Sequence, residues 1–359
     1  MKKNNKNFII YTVGGATLFI FMFAVKQFYD LRCCFEDLMV KHIILEKKYH
    51  PMEYAFSGNS KLRDCFKHPR KVEFLKRGGE YIPDYERPRT LNDKVGYILD
   101  NYFDKSPITE IIGTKYLAKK YIADKVGQEH VAKLYGVYDN PEDVDWDGLP
   151  KSFVLKAVRG HFGREVIIVR DKDTADRTDI IQKLRRYCST PWMKNIHKNR
   201  IIAEEFLEPS GPDLVDYKFF CSYGKPLISY CLVKDKYGIT DVSLKTSSFY
   251  EIPEWKRIDL ILDGDKPNNV PKPKHFDKMM ELAKKLSADF PLVRIDLYEV
   301  DDRVVVGEIT EDASGAKSIF DKVEWDFRFG DLIKNVPTLE EIEKLIERDK
   351  EIAKKYLEE

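Results

Sequence analysis

The stretch RIDLYEVDDRVVVGEIT, residues 294–310, reads as two β-strands folded back on one another, with two carboxylates set inside apolar runs. Successive residues of a strand face opposite sides, so Val293, Ile295 and Leu297 share one face while Arg294, Asp296 and Tyr298 share the other. On the return strand the loop length decides the pairing. A three-residue loop, Asp301-Asp302-Arg303, pairs Val300 with Val304, sets Ile295 against Ile309 and brings Asp296 directly opposite Glu308. A two-residue loop would mix the polar and apolar faces, so the three-residue loop is the expectation. Directly opposed carboxylates lie about 5 Å apart and repel, so the pair needs compensation. Two sources are open at this point: a divalent cation held by both, or Arg294 neutralising the pair on a solvated edge.

Two further stretches carry charge in places that ask for a partner. FVLKAVRGHFGREVIIVRD, residues 153–171, reads strand, glycine-containing loop, strand, with Lys156 just before the loop. The loop Arg159-Gly160-His161-Phe162-Gly163-Arg164 has glycines that let backbone amides approach a ligand, and Lys156, Arg159 and Arg164 surround it with positive charge. That combination suits phosphate oxygens; a plain surface turn is the other reading. Lys218, in DYKFF, sits in an otherwise apolar strand, where an unpaired ammonium is costly. Its partner is either Asp216 on the same face or a nucleotide phosphate. Neither a GxxxxGK[ST] motif nor a GxGxxG after a strand occurs, which removes the main support for P-loop and Rossmann readings.

Bulk properties narrow the class. The chain has 359 residues, with 61 basic against 60 acidic, so no global field points to a nucleic-acid partner. Charged residues make up 34% and aromatics 13%, the composition of a well-cored catalytic or binding domain. Residues 8–25 (FIIYTVGGATLFIFMFAV) depart from it: an uncharged run of 18 between Lys6 and Lys26, long enough to span a bilayer as a helix. No small-x-small cleavage site follows the run, so residues 1–25 read as a single-pass membrane anchor rather than a signal peptide. Lysines and arginines flank it evenly, which leaves the orientation open. The six cysteines form no CxxC and no Cys/His cluster, against zinc and against a disulfide scaffold.

Along the chain, KYLAKKYIADKVG (115–127) has helical spacing ending at a C-capping glycine, IIAEEFLE (201–208) reads as a strand, and DYKFFCSYGKPLISYCLV (216–233) as a hairpin turning at Tyr223-Gly224. FDKMMELAKKLSADF (276–290) is a helix, and Thr338 with Glu341 forms a capping box at the start of the last one. Helices thus alternate with hairpins rather than with βαβ crossovers, so the fold class is α+β with mainly antiparallel sheets.

The ordered series LNDKVGYILD, TKYLAKKYIADKVGQEHVAKLYGVYDNPEDVDWDGLPKSFVLK, RIIAEEFLE, LVDYKFFCSYGKP and FPLVRIDLYEVDDRVVVGEIT resembles the ATP-grasp superfamily, specifically its TupA-like, teichuronopeptide-biosynthesis branch. The resemblance implies two α+β lobes clamping ATP between antiparallel sheets, with residues 87–330 as that domain and about 151–208 as its flap subdomain. Residues 26–86 are then a stem and 331–359 a C-terminal helix. It implies that Lys115 and Lys156 contact ATP phosphates beneath a flap that includes Arg159 and Gly160. Glu204 takes the adenine amino group while the Phe206-Leu207 backbone forms the hinge. Asp216 holds the ribose, Lys218 a phosphate, Asp296 and Glu308 bind Mg²⁺, and Arg294 stabilises the transferring phosphoryl or acyl-phosphate oxygens. Lys156 and Arg294 are the catalytic pair in this scheme.

Some positions depart from the family pattern. Thr114-Lys115 stands where Asp-Lys is usual, Lys156-Ala157-Val158-Arg159-Gly160 replaces the Lys-Cys-Asn-His-Gly flap start, and Thr310 replaces the customary Asn. Asp312-Ala313-Ser314-Gly315 stands where the branch has Thr-Pro-Gly. The implied reaction is a ligase step of surface-glycan assembly on a glycan or amino-acid-like acceptor, with the catalytic domain cytoplasmic if the host is bacterial. A sugar or glycan phosphotransferase would use the same ATP site. A type II membrane glycosyltransferase is suggested by the anchor, the stem and the Asp143, Asp145 and Asp147 repeat.

Overall fold

The computed structural model describes residues 9–13, 16–20, 65, 67–160, 165–193, 196–208, 213–235, 246–311 and 313–357. Two compact units are present, Met1–Asn59 and Ser60–Glu359. In the first, Ile9–Val13 (β1) and Ala16–Ile20 (β2) pair antiparallel, with Val13 opposite Ala16 and Ile9 opposite Ile20. The membrane helix expected over residues 8–25 is therefore not what the described part of that run forms. Its Ile, Val, Thr, Tyr and Phe content favours a strand, and the Gly14-Gly15 pair disfavours a helix interior. Among the described residues no helix is long and apolar enough to cross a membrane.

The second unit holds two antiparallel sheets. The smaller has the order β3-β6-β4-β5, built from Leu134–Tyr138 (β3), Phe153–Ala157 (β4), Val166–Val169 (β5) and Ile201–Glu204 (β6). Arg177–Cys188 (α5) covers it, burying Ile180 and Leu184 against Phe153, Leu155 and Ile202. The larger has the order β10-β9-β8-β7-β11-β12. Its strands are Asp213–Ser222 (β7), Lys225–Asp235 (β8), Thr246–Glu251 (β9), Lys256–Ile258 (β10), Val293–Val300 (β11) and Arg303–Thr310 (β12). Phe276–Ser287 (α6) packs Met279, Leu282 and Leu286 into its core. The turn between β7 and β8 is the Tyr223-Gly224 pair, φ 44° and 73°, the left-handed geometry that two-residue hairpins need.

Both ends of this unit extend past the expected boundaries. Pro69–Lys76 (α1) lies within what reads as stem, yet Phe74 and Leu75 are buried and the Arg70 guanidinium reaches Asp104 at 2.9 and 3.0 Å. Arg70 also pairs with Asp100. Tyr81 donates to Asp326 at 2.6 Å, on Glu324–Leu332 (α7), and Asn92 holds the same carboxylate from Leu91–Ile98 (α2). The last helix, Leu339–Leu357 (α8), starts at the expected Thr338/Glu341 capping box. It is fastened to the domain by buried Asp349, which accepts from Tyr102 and Ser106 at 2.6 Å each. Residues 65–90 and 331–357 are parts of one domain because their polar groups find partners inside it.

The β11/β12 hairpin corrects the loop expectation and keeps its consequence. Val300 pairs with Arg303, so the turn is the two residues Asp301-Asp302, with Asp301 at φ 54°. Leu297 then faces Val306, and a bulge between Asp296 and Leu297 shifts the register by one residue, so that Asp296 faces Glu308 and Ile295 faces Ile309. The two-residue turn does not scramble the faces, because the extra residue, Gly307, absorbs the slip before the carboxylates are reached. A Cβ on Gly307 would lie 2.5 Å from the Tyr298 ring. Gly307→Val is expected to destabilise the domain by about 1–3 kcal/mol, read as a lowered midpoint in thermal denaturation.

Candidate functional site

Strand pairing brings one charged row together on the large sheet. Tyr298 pairs with Asp216 and Asp296 with Lys218 across β11/β7, while Asp296 pairs with Glu308 and Arg294 with Thr310 across β11/β12. Asp296 is 2% exposed and Lys218 6%, so their charges must be answered locally. Arg294 grips Asp296 through both oxygens, Nε to Oδ1 at 2.6 Å and Nη2 to Oδ2 at 2.8 Å, and Lys218 also pairs with Oδ2. Lys218 lies 2.9 Å from Asp216, to which Tyr298 donates at 3.2 Å. Both candidate explanations for Lys218 left an anion to be found; the chain itself supplies two. Thr310 accepts from Arg294 at 3.1 Å and donates to Glu308 at 3.0 Å, linking the two ends of the row.

The balance of this row decides its chemistry. Burial works to lower the Arg294 pKa, but Asp296, Glu308 and Asp216 overcome it and hold the guanidinium firmly charged. Among the described residues, Asp216, Asp296 and Glu308 stand in one row with Arg294 and Lys218. Among the described residues no group of three or more His, Cys, Asp or Glu side chains gathers as a metal cage. A cation here would share two carboxylates with oxygens brought by a ligand, the habit of Mg²⁺ rather than of zinc.

The opposite balance holds beside the small sheet. Glu204, the last residue of β6, is 4% exposed, with Lys119 at 2.6 Å from Oε2 and Lys156 paired to Oε1. Burial alone would raise its pKa; the two ammonium groups reverse that and hold it at about 2. Lys115 opens Lys115–Val126 (α4), and its backbone N–H donates to Val158 O at 2.8 Å, beside the flap loop. Its pKa is lowered by burial and by Lys156, with Glu308, Glu165 and Glu204 opposing. No carboxylate lies within 4 Å of the Lys115 ammonium among the described residues. Lys119 and Lys156 thus clasp Glu204, while Lys115 lies within electrostatic reach of Glu308 on the other sheet as well as of Glu165 and Glu204.

Side chains of the two sheets meet at the turn of the hairpin. Arg303 pairs with Glu205, whose other oxygen accepts from Lys133 N at 3.1 Å, and the His130 imidazole lies 2.9 Å from Val304 O. Beyond Glu204 the chain leaves the sheet. The backbone groups of Phe206 and Leu207 have no hydrogen-bond partner among the described residues, and Arg170 covers the Phe206 ring at 4.9 Å. Open backbone donor and acceptor groups of this kind suit a planar heterocycle with donor and acceptor edges.

A family model, TupA-like ATPgrasp, matches residues 98–334, well over half of the chain. The chain belongs to the TupA-like ATP-grasp family. Solved structures also match, at low identity and low TM-score. D-alanine–D-alanine ligase from Helicobacter pylori matches at 16% identity and TM-score 0.37 over 63% of this chain and 62% of that one. Carboxyaminoimidazole ribonucleotide synthase from Aspergillus clavatus, complexed with ATP, matches at 16% identity and TM-score 0.35, covering 56% and 45%. L-amino acid ligase from Bacillus licheniformis matches at 15% identity and TM-score 0.34, covering 58% and 43%. The chain thus spans about half the length of two of these three proteins. No curated protein matches the sequence.

For this ATP-grasp protein, ATP and Mg²⁺ are the cofactors of its family, and the α+β expectation with antiparallel sheets holds. The expected residues fall into the two groups above: Asp216, Lys218, Arg294, Asp296 and Glu308 in one, Lys115, Lys156 and Glu204 in the other. Arg159 is turned to Glu110, with which it pairs, and to Thr114 at 3.4 Å. Gly160 abuts the Glu165 side chain, and loop residues 161–164 lie outside the described residues. Asp143 caps Asn140 at 3.1 Å and Asp145 accepts from Gly148 N at 3.1 Å, so those aspartates of the acidic repeat serve their own turn. Sequence reasoning missed Lys119; its signal was the i, i+4 spacing from Lys115, which puts both ammonium groups on one helix face.

Glu204 carries a pH signature. Its folded pKa, about 2, lies below its ordinary 4.5, so the stability it contributes is present above pH 4.5 and is lost as pH falls toward 2. The difference in melting temperature between wild type and Glu204→Gln is expected to shrink across that window, measured by thermal denaturation from pH 6 downward. A constant difference would mean the pair is not ionic.

Proposed function

We propose that the protein is an ATP- and Mg²⁺-dependent carboxylate–amine ligase acting on a glycan or amino-acid-like acceptor in cell-surface polysaccharide or glycopeptide assembly. The observation that carries this reading is the juxtaposition, among the described residues, of a lysine cluster, Lys115, Lys119 and Lys156, with a strand row that carries Asp216, Asp296 and Glu308. A polyphosphate with a bridging divalent cation answers both at once.

In this reading Lys115 and Lys156 meet the phosphates, Arg159 and Gly160 begin the closing flap, and Asp216 and Lys218 hold the ribose and a phosphate. Asp296 and Glu308 hold Mg²⁺, whose chemistry when bound is neutralisation of the phosphate oxygens. Glu204 faces the adenine amino group, and the open backbone of Phe206 and Leu207 takes the rest of the adenine edge. The acceptor carboxylate attacks the terminal phosphorus and ADP leaves, giving an acyl phosphate. An amine then attacks the acyl carbon, the amide forms and phosphate departs. Arg294, fixed by Asp296 and Thr310, presents its guanidinium to the oxygens that gain charge.

ATP with Mg²⁺ is expected to raise the melting temperature, and Asp296→Asn to abolish the Mg²⁺-dependent part of that shift while the protein stays folded. Release of ADP and phosphate that requires both a carboxylate and an amine supports the ligase. A phosphorylated sugar acceptor would replace it with a phosphotransferase, and a protein indifferent to ATP would sink both. Attachment to a membrane through residues 8–25, with the ATP site on the cytoplasmic side in a bacterial host, belongs to the same proposal. The full chain is expected in the carbonate-resistant membrane pellet, and a variant lacking residues 1–25 in the supernatant.

A further inference from the structure

We propose that Lys119 is a positioning residue that allows Lys156 to leave Glu204 for a nucleotide phosphate, an inference that rests on the ATP reading above. Lys119 and Lys156 divide the two oxygens of Glu204 between them, but they are held differently. Lys119 has a second acceptor, Ala132 O at 3.3 Å, and its side chain is 15% exposed. Among the described residues Lys156 has Glu204 alone as its ion-pair partner within 4 Å, and it is 25% exposed. The anchored cation is therefore Lys119 and the releasable one Lys156.

The carboxylate sets the condition for release. Glu204 is 5% exposed at its side chain, and a buried carboxylate stripped of its only cation pays the full desolvation penalty. With Lys119 in place, Glu204 keeps a partner when Lys156 moves, so Lys156 can exchange one anion for another at small cost. Without Lys119, Lys156 becomes the sole counter-charge and stays clasped. Repulsion works in the same direction: Lys156 lies close enough to oppose the charge on both Lys115 and Lys119, and a polyphosphate relieves that crowding. Lys115 has no carboxylate within 4 Å among the described residues and meets the ligand first.

Calorimetric titration of the full chain with MgATP tests this on wild type, Lys119→Gln, Lys119→Arg and the double variant Lys119→Gln/Glu204→Gln. Lys119→Gln is expected to weaken ATP binding by about tenfold or more, which corresponds to about 1.4 kcal/mol, and Lys119→Arg to retain most of the affinity. The double variant should recover affinity over Lys119→Gln, because Lys156 is no longer clasped; a merely structural Lys119 would predict no recovery. Amine labelling of the ATP-free protein, read at Lys156 by mass spectrometry, should fall in Lys119→Gln and rise again in the double variant, and it reads the pairing even where one variant binds no nucleotide. Wild-type affinity in Lys119→Gln, or a double variant no better than the single, would overturn the proposal. Wild type that ignores ATP would instead overturn the ATP reading on which it stands.

Discussion

The grip of Arg294 and Lys218 on Asp296 is the interaction around which the rest of the site is arranged. Removing one member of such a buried group leaves an uncompensated charge, at a cost of about 3–5 kcal/mol. The three residues come from two strands whose register therefore cannot slip: a one-residue shift would send Asp296 and Arg294 to one face and Lys218 to the other. Asp216, Glu308 and Thr310 are then placed by pairing alone, since they occupy the same row on β7 and β12. The Gly307 bulge belongs to this constraint. It lets the hairpin close through a tight turn at Asp301-Asp302 and still deliver Glu308 opposite Asp296.

The two sheets use charge in complementary ways. On the large sheet, Arg294 and Lys218 hold Asp296; beside the small sheet, Lys119 and Lys156 hold Glu204. Pairing of opposite charges is what lets each group be buried. Every cation assigned to the ligand, apart from Lys115, already has a carboxylate partner in the chain. Ligand binding in such a site is an exchange of partners, and its free energy is the difference between two well-made sets of ion pairs rather than the value of either. The Glu205–Arg303 pair and the His130–Val304 contact join the sheets at the far end of the hairpin.

Much of this was legible in the chain. Alternation in residues 294–310 gave the two faces of the hairpin and the Asp296–Glu308 pairing, although the three-residue loop inferred with it was wrong. The inference assumed an unbroken ladder, and a bulge is a departure from alternation that only the neighbouring Tyr298 ring and the Gly307 backbone make visible. Lys218 stood out because an ammonium in an apolar strand needs an anion, and Lys156 because it leads into a basic, glycine-containing loop; that Glu204 answers Lys156 and that Asp296 joins Asp216 on Lys218 depends on pairings between segments tens of residues apart. The stem and the C-terminal helix were read as separate pieces because their charged sequences look solvated. Arg70, Tyr81 and Asp349 show why that fails: each polar group finds its partner inside the domain, and a partner distant in sequence leaves no local pattern.

By itself the sequence determined the fold class, the antiparallel hairpins, the capped ends of α4 and α8, and most of the charged side chains that the two groups gather. Those properties follow from periodicity and residue chemistry over a few neighbouring positions. Tertiary structure alone decided which charges neutralise which, that Lys119 joins Lys156 on Glu204, that Arg159 turns to Glu110, and where the domain ends. These are set by the cost of burying a charge, which each group meets with whatever partner the packed sheets bring within about 3 Å, and that partner is fixed by strand order and register rather than by anything nearby in the chain.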